Sequence, residues 1–375
     1  MATEIRAGKQ GGERPRASLR EVNVGRVALH GLERGGLPIL LIIMFAFFAL
    51  DSKSGTAFTS SGNLRNILGN QAVTGLVALG MVVPLVSGYF DLSVAGTTGI
   101  TNVAVAATIG PHQWPVIGTI AFALAMGALI GFINGFLVAK MRLSGFVVTL
   151  GSYTLLGGLS LFYTKGSFIT EKIPASFGQW GSATLLGIPR PFWLLIIVGL
   201  VVWYTLAHTP FGRYLESIGS NEEAARLVGI NVTRMIWASF VISGVLGAIA
   251  GVLETSRAGS ASAETGAAFL FPAFTAVFLG ATTIRPGRYN VWGTLVGTYF
   301  VAISVSGLTL LGANIWVSPT FNGVALIVAV ALSTLIARAR ERRSALAAPN
   351  VARQSGNGGQ ASLQQAGSNA SASDP

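Results

Sequence analysis

PFWLLIIVGLVVWYTLA (191–207) is followed by HTPFGRYLESIGSNEEAARLVGINVTR (208–234) and then by MIWASFVISGVLGAIAGVL (235–253). Two apolar runs bracket a segment that carries three arginines and three glutamates. Each run approaches the ~20 helical residues that cross about 30 Å of hydrocarbon. Water is absent there, so the backbone must satisfy its own hydrogen bonds, as a helix or in a closed barrel. The runs do not alternate apolar and polar residues, which excludes the barrel. The intervening segment then lies outside the bilayer, and the fold class follows: an all-α, polytopic bundle of membrane helices.

The whole chain agrees with this reading. Of its 375 residues 51% are hydrophobic and only 10% charged, against roughly 25% charged in soluble domains. About ten apolar spans are read at 37–50, 70–88, 92–110, 115–139, 145–163, 191–207, 234–253, 267–283, 291–312 and 318–337. The 267–283 span is short and contains Pro272. Residues 1–36 are read as a basic cytoplasmic tail without the apolar core of a signal peptide. Residues 37–337 form the transmembrane domain. Residues 338–375, rich in Ser, Gly, Gln and Ala beyond about 344, are read as a disordered cytoplasmic tail.

An even number of spans places both termini on one side. With that side cytoplasmic, 19 of the 25 Lys and Arg residues lie inside and 6 outside, most of the excess coming from the tails. The positive-inside rule selects this orientation. The net charge of +11 is therefore topological, and no basic surface with interleaved aromatics suggests nucleic acid. Absence of cysteine excludes disulfides and thiolate metal sites, and His30, His112 and His208 are scattered. No metal ligand set is assigned.

Small residues recur every fourth position at Ala123, Gly127, Gly131 and Gly135, at Ser239, Ser243, Gly247 and Gly251, and at Gly293 with Gly297. Such stripes let helix backbones approach closely. Within 208–233, Ser220 and Glu223 have capping-box spacing, and Glu222 and Arg226 make a favourable i, i+4 pair. Ala224, Ala225, Leu227 and Val228 supply an apolar side, and Gly229 suits a left-handed C-terminal cap. Gly212 and Gly219 are read as turn residues before this helix of about two turns. The segment reads either as a helix that docks in a partner's groove or as an ordinary amphipathic surface loop.

GRYLESIGSNEEAARLVGINV resembles the cytoplasmic coupling loop of the permease subunits of bacterial ABC sugar importers, the ribose-type permease family. The residues that match are Phe211, Gly212, Arg213, Ile218, Gly219, Asn221, Ala224, Ala225, Gly229 and Ile230. SGYFDLSVAG (87–96), NGFLVAKMRLSGFVVTLG (134–151) and FLGATTIRPGRYNVWGTLVGT (278–298) resemble three further blocks of that family. The likeness covers about residues 58 to 335. Departures occur in the last block, where glycines give way around Pro286, Arg288 and Asn290 and Ala stands at 281. In the first block Tyr89 replaces a Gly and Phe90 an aliphatic residue. Bulkier groups there narrow the region, so the cargo need not be the family's commonest one.

The resemblance implies a type II-like importer permease in the bacterial inner membrane. It implies pairing with a second permease copy or homologous chain, and delivery of sugar by an extracytoplasmic sugar-binding protein. ATP and Mg would be bound by separate cytoplasmic ATPase subunits, since no phosphate loop of the G-x-x-x-x-G-K-[ST] type occurs in this chain. The chain is thus expected to be a transport subunit for a monosaccharide such as ribose and not an enzyme. Its ATPase-coupling residues would be Gly212, Arg213, Gly219, Asn221, Glu222, Glu223, Ala224, Ala225 and Gly229.

Candidates for the substrate pathway or gate are Asp91, Phe90, Asn102, Asn134, Thr149 and Ser152. Asp91, read as the one acidic residue embedded between spans, serves either as a cap for the helix starting at Leu92 or as a gate. Hydrogen bonds between helices explain the other polar residues equally well. The alternative within the same class is a permease for a nucleoside, a furanone autoinducer or a branched-chain amino acid. A secondary transporter would need more ionisable groups inside spans and repeated halves.

Overall fold

The computed structural model describes residues 24–335, with side chains from Gly35 onward. The tail assignments before residue 24 and after residue 335 lie outside the described residues. In chain order the helices are α1 (Val24–Leu50), α2 (Gly55–Phe58), α3 (Ser61–Val86), α4 (Ser93–Ile109), α5 (Val116–Gly135), α6 (Gly145–Thr164) and α7 (Ala175–Ser182). After a hairpin of β1 (Thr184–Leu185) and β2 (Ile188–Pro189) come α8 (Arg190–His208), α9 (Pro210–Ser220), α10 (Glu222–Leu227), α11 (Val232–Ala258), α12 (Thr265–Gly280), α13 (Val291–Leu310) and α14 (Val317–Leu335).

Every apolar run of the sequence is a helix. Among the described residues, seven helices are long and apolar enough to cross a membrane, and the apolar helices Gly35–Leu50, Ser93–Ile109 and Thr265–Gly280 are shorter. The shortness of α4 has a cause: nearly all its residues are buried among other helices, so lipid thickness does not set its length. The first helix begins at Val24, inside the stretch read as tail. A helix need not stop at the hydrocarbon boundary, and this one extends through a stretch that holds four glycines. Pro272 sits within α12.

Buried α3 and α11 form the core, with α3 enclosed from Ala72 to Leu85. A helix apolar on every side belongs at the centre of a bundle. The small-residue stripes make this packing possible, although their pairing differs from a single seam. Gly127 and Gly131 of α5 press on the backbone of Gly244 and Phe240 in α11, while Gly247 and Gly251 turn the other way, towards Val94 and Thr101 of α4. Gly293 and Gly297 of α13 meet Gly280 and Ala276 of α12. A Cβ at Gly131, Gly251 or Gly297 would overlap a neighbouring helix.

Consecutive connections alternate between two ends of the bundle. At one end Ile169 pairs with Ala261 through backbone bonds of 2.9 and 3.0 Å, and Ser256 Oγ donates to the Phe177 carbonyl at 2.6 Å. At the other end the 87–92 break, the 140–145 turn, α9–α10 and the 281–290 turn meet.

Candidate functional site

The polar segment forms two helices. Gly212 and Gly219, expected in turns, lie inside α9, where both serve close packing. A Cβ on Gly212 would overlap the Leu206 carbonyl, and one on Gly219 would overlap the Val86 carbonyl at the end of α3. Thr209 precedes Pro210 at the first helical position, which suits proline because that amide has no helical partner. Leu215 and Ile218 are buried and anchor α9 to the bundle.

The cap of α10 is Asn221, whose Oδ1 accepts the Ala224 amide at 2.9 Å, so the expected Ser220–Glu223 box is displaced by one residue. Asparagine is as good a cap as serine, and here it stands at the extended position between the two helices. Glu222 and Arg226 pair at 2.6 Å, as their spacing requires. Gly229 closes the helix at φ +86°, a left-handed value that favours glycine.

The two alanines separate. Ala225 is buried with Val138, Ala139, Ile218, Val232, Ile236 and Phe240, so it borders the groove between α9 and α10 from below and does not stand out on an apolar face. Ala224 is exposed, beside Leu227 and Val228, which are 85% and 77% exposed. Ala224 and Val228, with Arg213, Glu216, Asn221 and Arg288, line an open groove of about 550 Å³ between α9 and α10. Glu216 faces Arg285 at 3.7 Å and Arg288 at 3.5 Å, so the 281–290 turn borders the same groove. Glu223 is exposed.

Inward from this surface, the Tyr89 hydroxyl donates to Glu222 Oε2 at 2.7 Å while Arg226 holds Oε1. The Arg226 bond, and then the Tyr89 bond, hold the Glu222 carboxyl below its ordinary value of 4.5. Burial, together with Glu222, pushes the Tyr89 phenol up to about 12, so it remains a donor at neutral pH. Tyr89 thus fastens α10 to the break between α3 and α4.

That break gathers most of the polar residues singled out inside spans. Asp91 is buried, and its Oδ1 receives the Ser93 amide at 2.9 Å and the Ser93 hydroxyl at 2.5 Å. Asn134 Nδ2 donates to Ser93 Oγ at 2.8 Å, and Ser152 Oγ donates to Asn134 Oδ1 at 2.5 Å. The relay joins α6 through α5 to the start of α4. Thr149 Oγ1 accepts from the Leu92 amide at 3.1 Å and donates to the Gly145 carbonyl at 2.7 Å. Phe90 stacks on Phe278 of α12, 6.3 Å between ring centres. Buried polar groups with partners specify geometry, so this cluster pins three helices at the break.

Asn102 stands apart, towards the other end. Its Nδ2 donates to Thr255 Oγ1 at 2.9 Å, clamping α4 to α11.

Glu254 escaped the sequence reading, and Arg257 entered it only as one of the six outer charges. Glu254 and Arg257 lie in the last turns of α11, which runs to Ala258, five residues past the apolar run. Asp91 is therefore not the one acidic residue embedded among the helices. The signal was present at Gly259, which ends the helix at φ +61°.

The family described as "Branched-chain amino acid transport system / permease component" matches residues 63–330. The chain is 36% identical to the ribose import permease protein RbsC of Escherichia coli K12, over 77% of this chain and 91% of that protein. It is 30% identical to the fructose import permease protein FrcC of Rhizobium meliloti, over 79% and 84%. It is 33% identical to the autoinducer 2 import system permease protein LsrD of Photorhabdus temperata, over 68% and 78%.

Proposed function

This chain belongs to the branched-chain amino acid transport permease family, and from that premise we propose that it forms the membrane pathway of an ATP-driven importer for ribose or a closely related monosaccharide. It is a multi-pass inner-membrane protein and the transport component of an ABC importer, with no catalytic role of its own. The observation that carries the sugar reading is the length of the likeness to a ribose permease, which extends over 91% of that relative. The matched region runs from α3 to α14 and includes α9 and α10.

The mechanism in this reading begins at α9–α10. Separate ATPase subunits bind ATP and Mg, close, and engage the groove at Ala224 and Val228 and the exposed Leu227 beside it, with both termini of this chain on the same cytoplasmic side. Apolar side chains standing free in water support a partner there. Movement of α10 is passed to the 87–92 break through the Tyr89–Glu222 bond and the packing of Gly219 on Val86. A second permease copy or homologous chain completes the pathway, and an extracytoplasmic binding protein delivers sugar to its outer mouth.

The test is reconstitution in proteoliposomes with the ATPase and binding-protein chains that co-purify with it. ATP-dependent accumulation of ribose is expected. Accumulation of leucine, a nucleoside or a furanone with no pentose uptake would replace the sugar reading.

A further inference from the structure

Opposite the α9–α10 end, α3, α11, α12, α13 and α14 enclose a cavity of about 350 Å³ with a mixed polar lining. Glu254 and Arg257 face it from α11, Gln71 and Thr74 from α3, Phe269 from α12 and Asn322 from α14. A second cavity of about 340 Å³ adjoins it, also lined by Glu254 and Phe269 and reaching the α11–α12 turn at Ser260–Ser262.

The lining is unfinished as a protein core. Asn322 is 8% exposed, and its Oδ1 is buried without a hydrogen-bond partner. The Arg257 Nε is buried and equally unpartnered. Arg257 reaches inward across Gly69 of α3, where a Cβ would press on its Nη1 at 2.8 Å. Glu254 has no ion pair among the described residues, although an arginine stands one turn away. Pro272 also lines the cavity and has no N–H for the Ala268 carbonyl, and Ala268 lines both cavities. Buried polar atoms left unmade cost stability and point to a missing ligand.

From this geometry we infer that the cavity around Glu254, Arg257, Asn322 and Phe269 is a solute-binding station at the outer end of the pathway, built for a neutral polyhydroxylated molecule of monosaccharide size. This rests on the sugar-importer reading above. A carboxylate and a guanidinium side by side leave no net charge to attract an ion of either sign. Glu254 accepts hydroxyl protons, Arg257 donates, and Asn322 and Gln71 can do both. Phe269 supplies an apolar face for the C–H side of a sugar ring. Convergent polar groups around one aromatic wall are the usual make-up of a small-molecule pocket.

The experiment compares Glu254→Gln, Glu254→Leu and Asn322→Leu in proteoliposomes with the co-purified partners, at equal membrane abundance and equal partner recovery. With ribose as the probe, Glu254→Leu and Asn322→Leu are expected to lower uptake at least about tenfold, the effect of one lost hydrogen bond to a charged or buried group. Glu254→Gln keeps an acceptor oxygen and is expected to stay within about threefold of the parent. Undiminished ribose uptake in both leucine variants overturns the station. Equal losses in Gln and Leu overturn the neutral-solute assignment, because a charge is then being read. Failure of the parent itself to move ribose defeats the sugar reading instead, which separates the two claims.

Discussion

Gly219→Ala isolates the joint between the surface helices and the bundle. The added carbon would overlap the Val86 carbonyl oxygen and come within 3.2 Å of Ser87 Cα. Both neighbours are backbone, so no rotamer change relieves the contact, and α9 must move away from α3. Overpacking of this kind costs ~1–3 kcal/mol, while alanine gains ~0.5–1 kcal/mol over glycine in a helix interior. Taking the middle of each range, the clash wins by ~1.25 kcal/mol, equivalent to a factor of roughly 8 in a coupled equilibrium. Because α9 lies outside the membrane spans, insertion and abundance should be unaffected. ATP-dependent uptake in proteoliposomes should fall by that factor, with recovery of the ATPase subunits measured in parallel. Uptake equal to the parent, with melting of the purified complex unchanged or raised, would refute the reasoning.

Further substitutions test the rest. Gly131→Ala, whose Cβ would overlap the Phe240 carbonyl, should destabilise the purified permease by ~1–3 kcal/mol, whereas Gly157→Ala, with open space around it, should be neutral or stabilising by up to ~1 kcal/mol; thermal melts in lipid nanodiscs compare them. Ala224→Glu should leave the fold intact and remove ATP-driven uptake, while Ala225→Glu should lower abundance, since one side chain is exposed and the other buried. Tyr89→Phe removes the bond to Glu222 and should weaken uptake without loss of ATPase recovery. The Glu222 carboxyl is depressed below 4.5, so its contribution is complete above that pH and is lost as pH falls through the lower value. A pH-dependent melt should therefore lose part of its acid limb in Glu222→Gln.

The positions of the ten helices could be read in advance because hydrocarbon imposes length and apolarity on each run separately. The Glu222–Arg226 pair and the left-handed Gly229 were equally legible, being consequences of spacing within one helix turn and of a single backbone angle. The cap moved from Ser220 to Asn221 because α9 runs on to Ser220, a fact set by where Leu215 and Ile218 find a core. Likewise Gly212 and Gly219 read as turn residues until the helices they touch were in place. Glu254 was passed over, and Arg257 counted only as an outer charge, because a hydropathy window ends where charge begins, although the helix continues behind neighbouring helices.

Sequence alone therefore determined what each segment must do on its own: cross a membrane, stay outside it, or cap a helix. Those are contests between a local stretch and its solvent. Tertiary structure decided which residues meet across the chain, such as Tyr89 with Glu222 or Arg257 with Gly69. In a bundle where most helices are apolar on several sides, hydrophobicity does not choose their neighbours. Close fit between backbones does, and a Cβ-sized difference in that fit has no local signature in the order of residues.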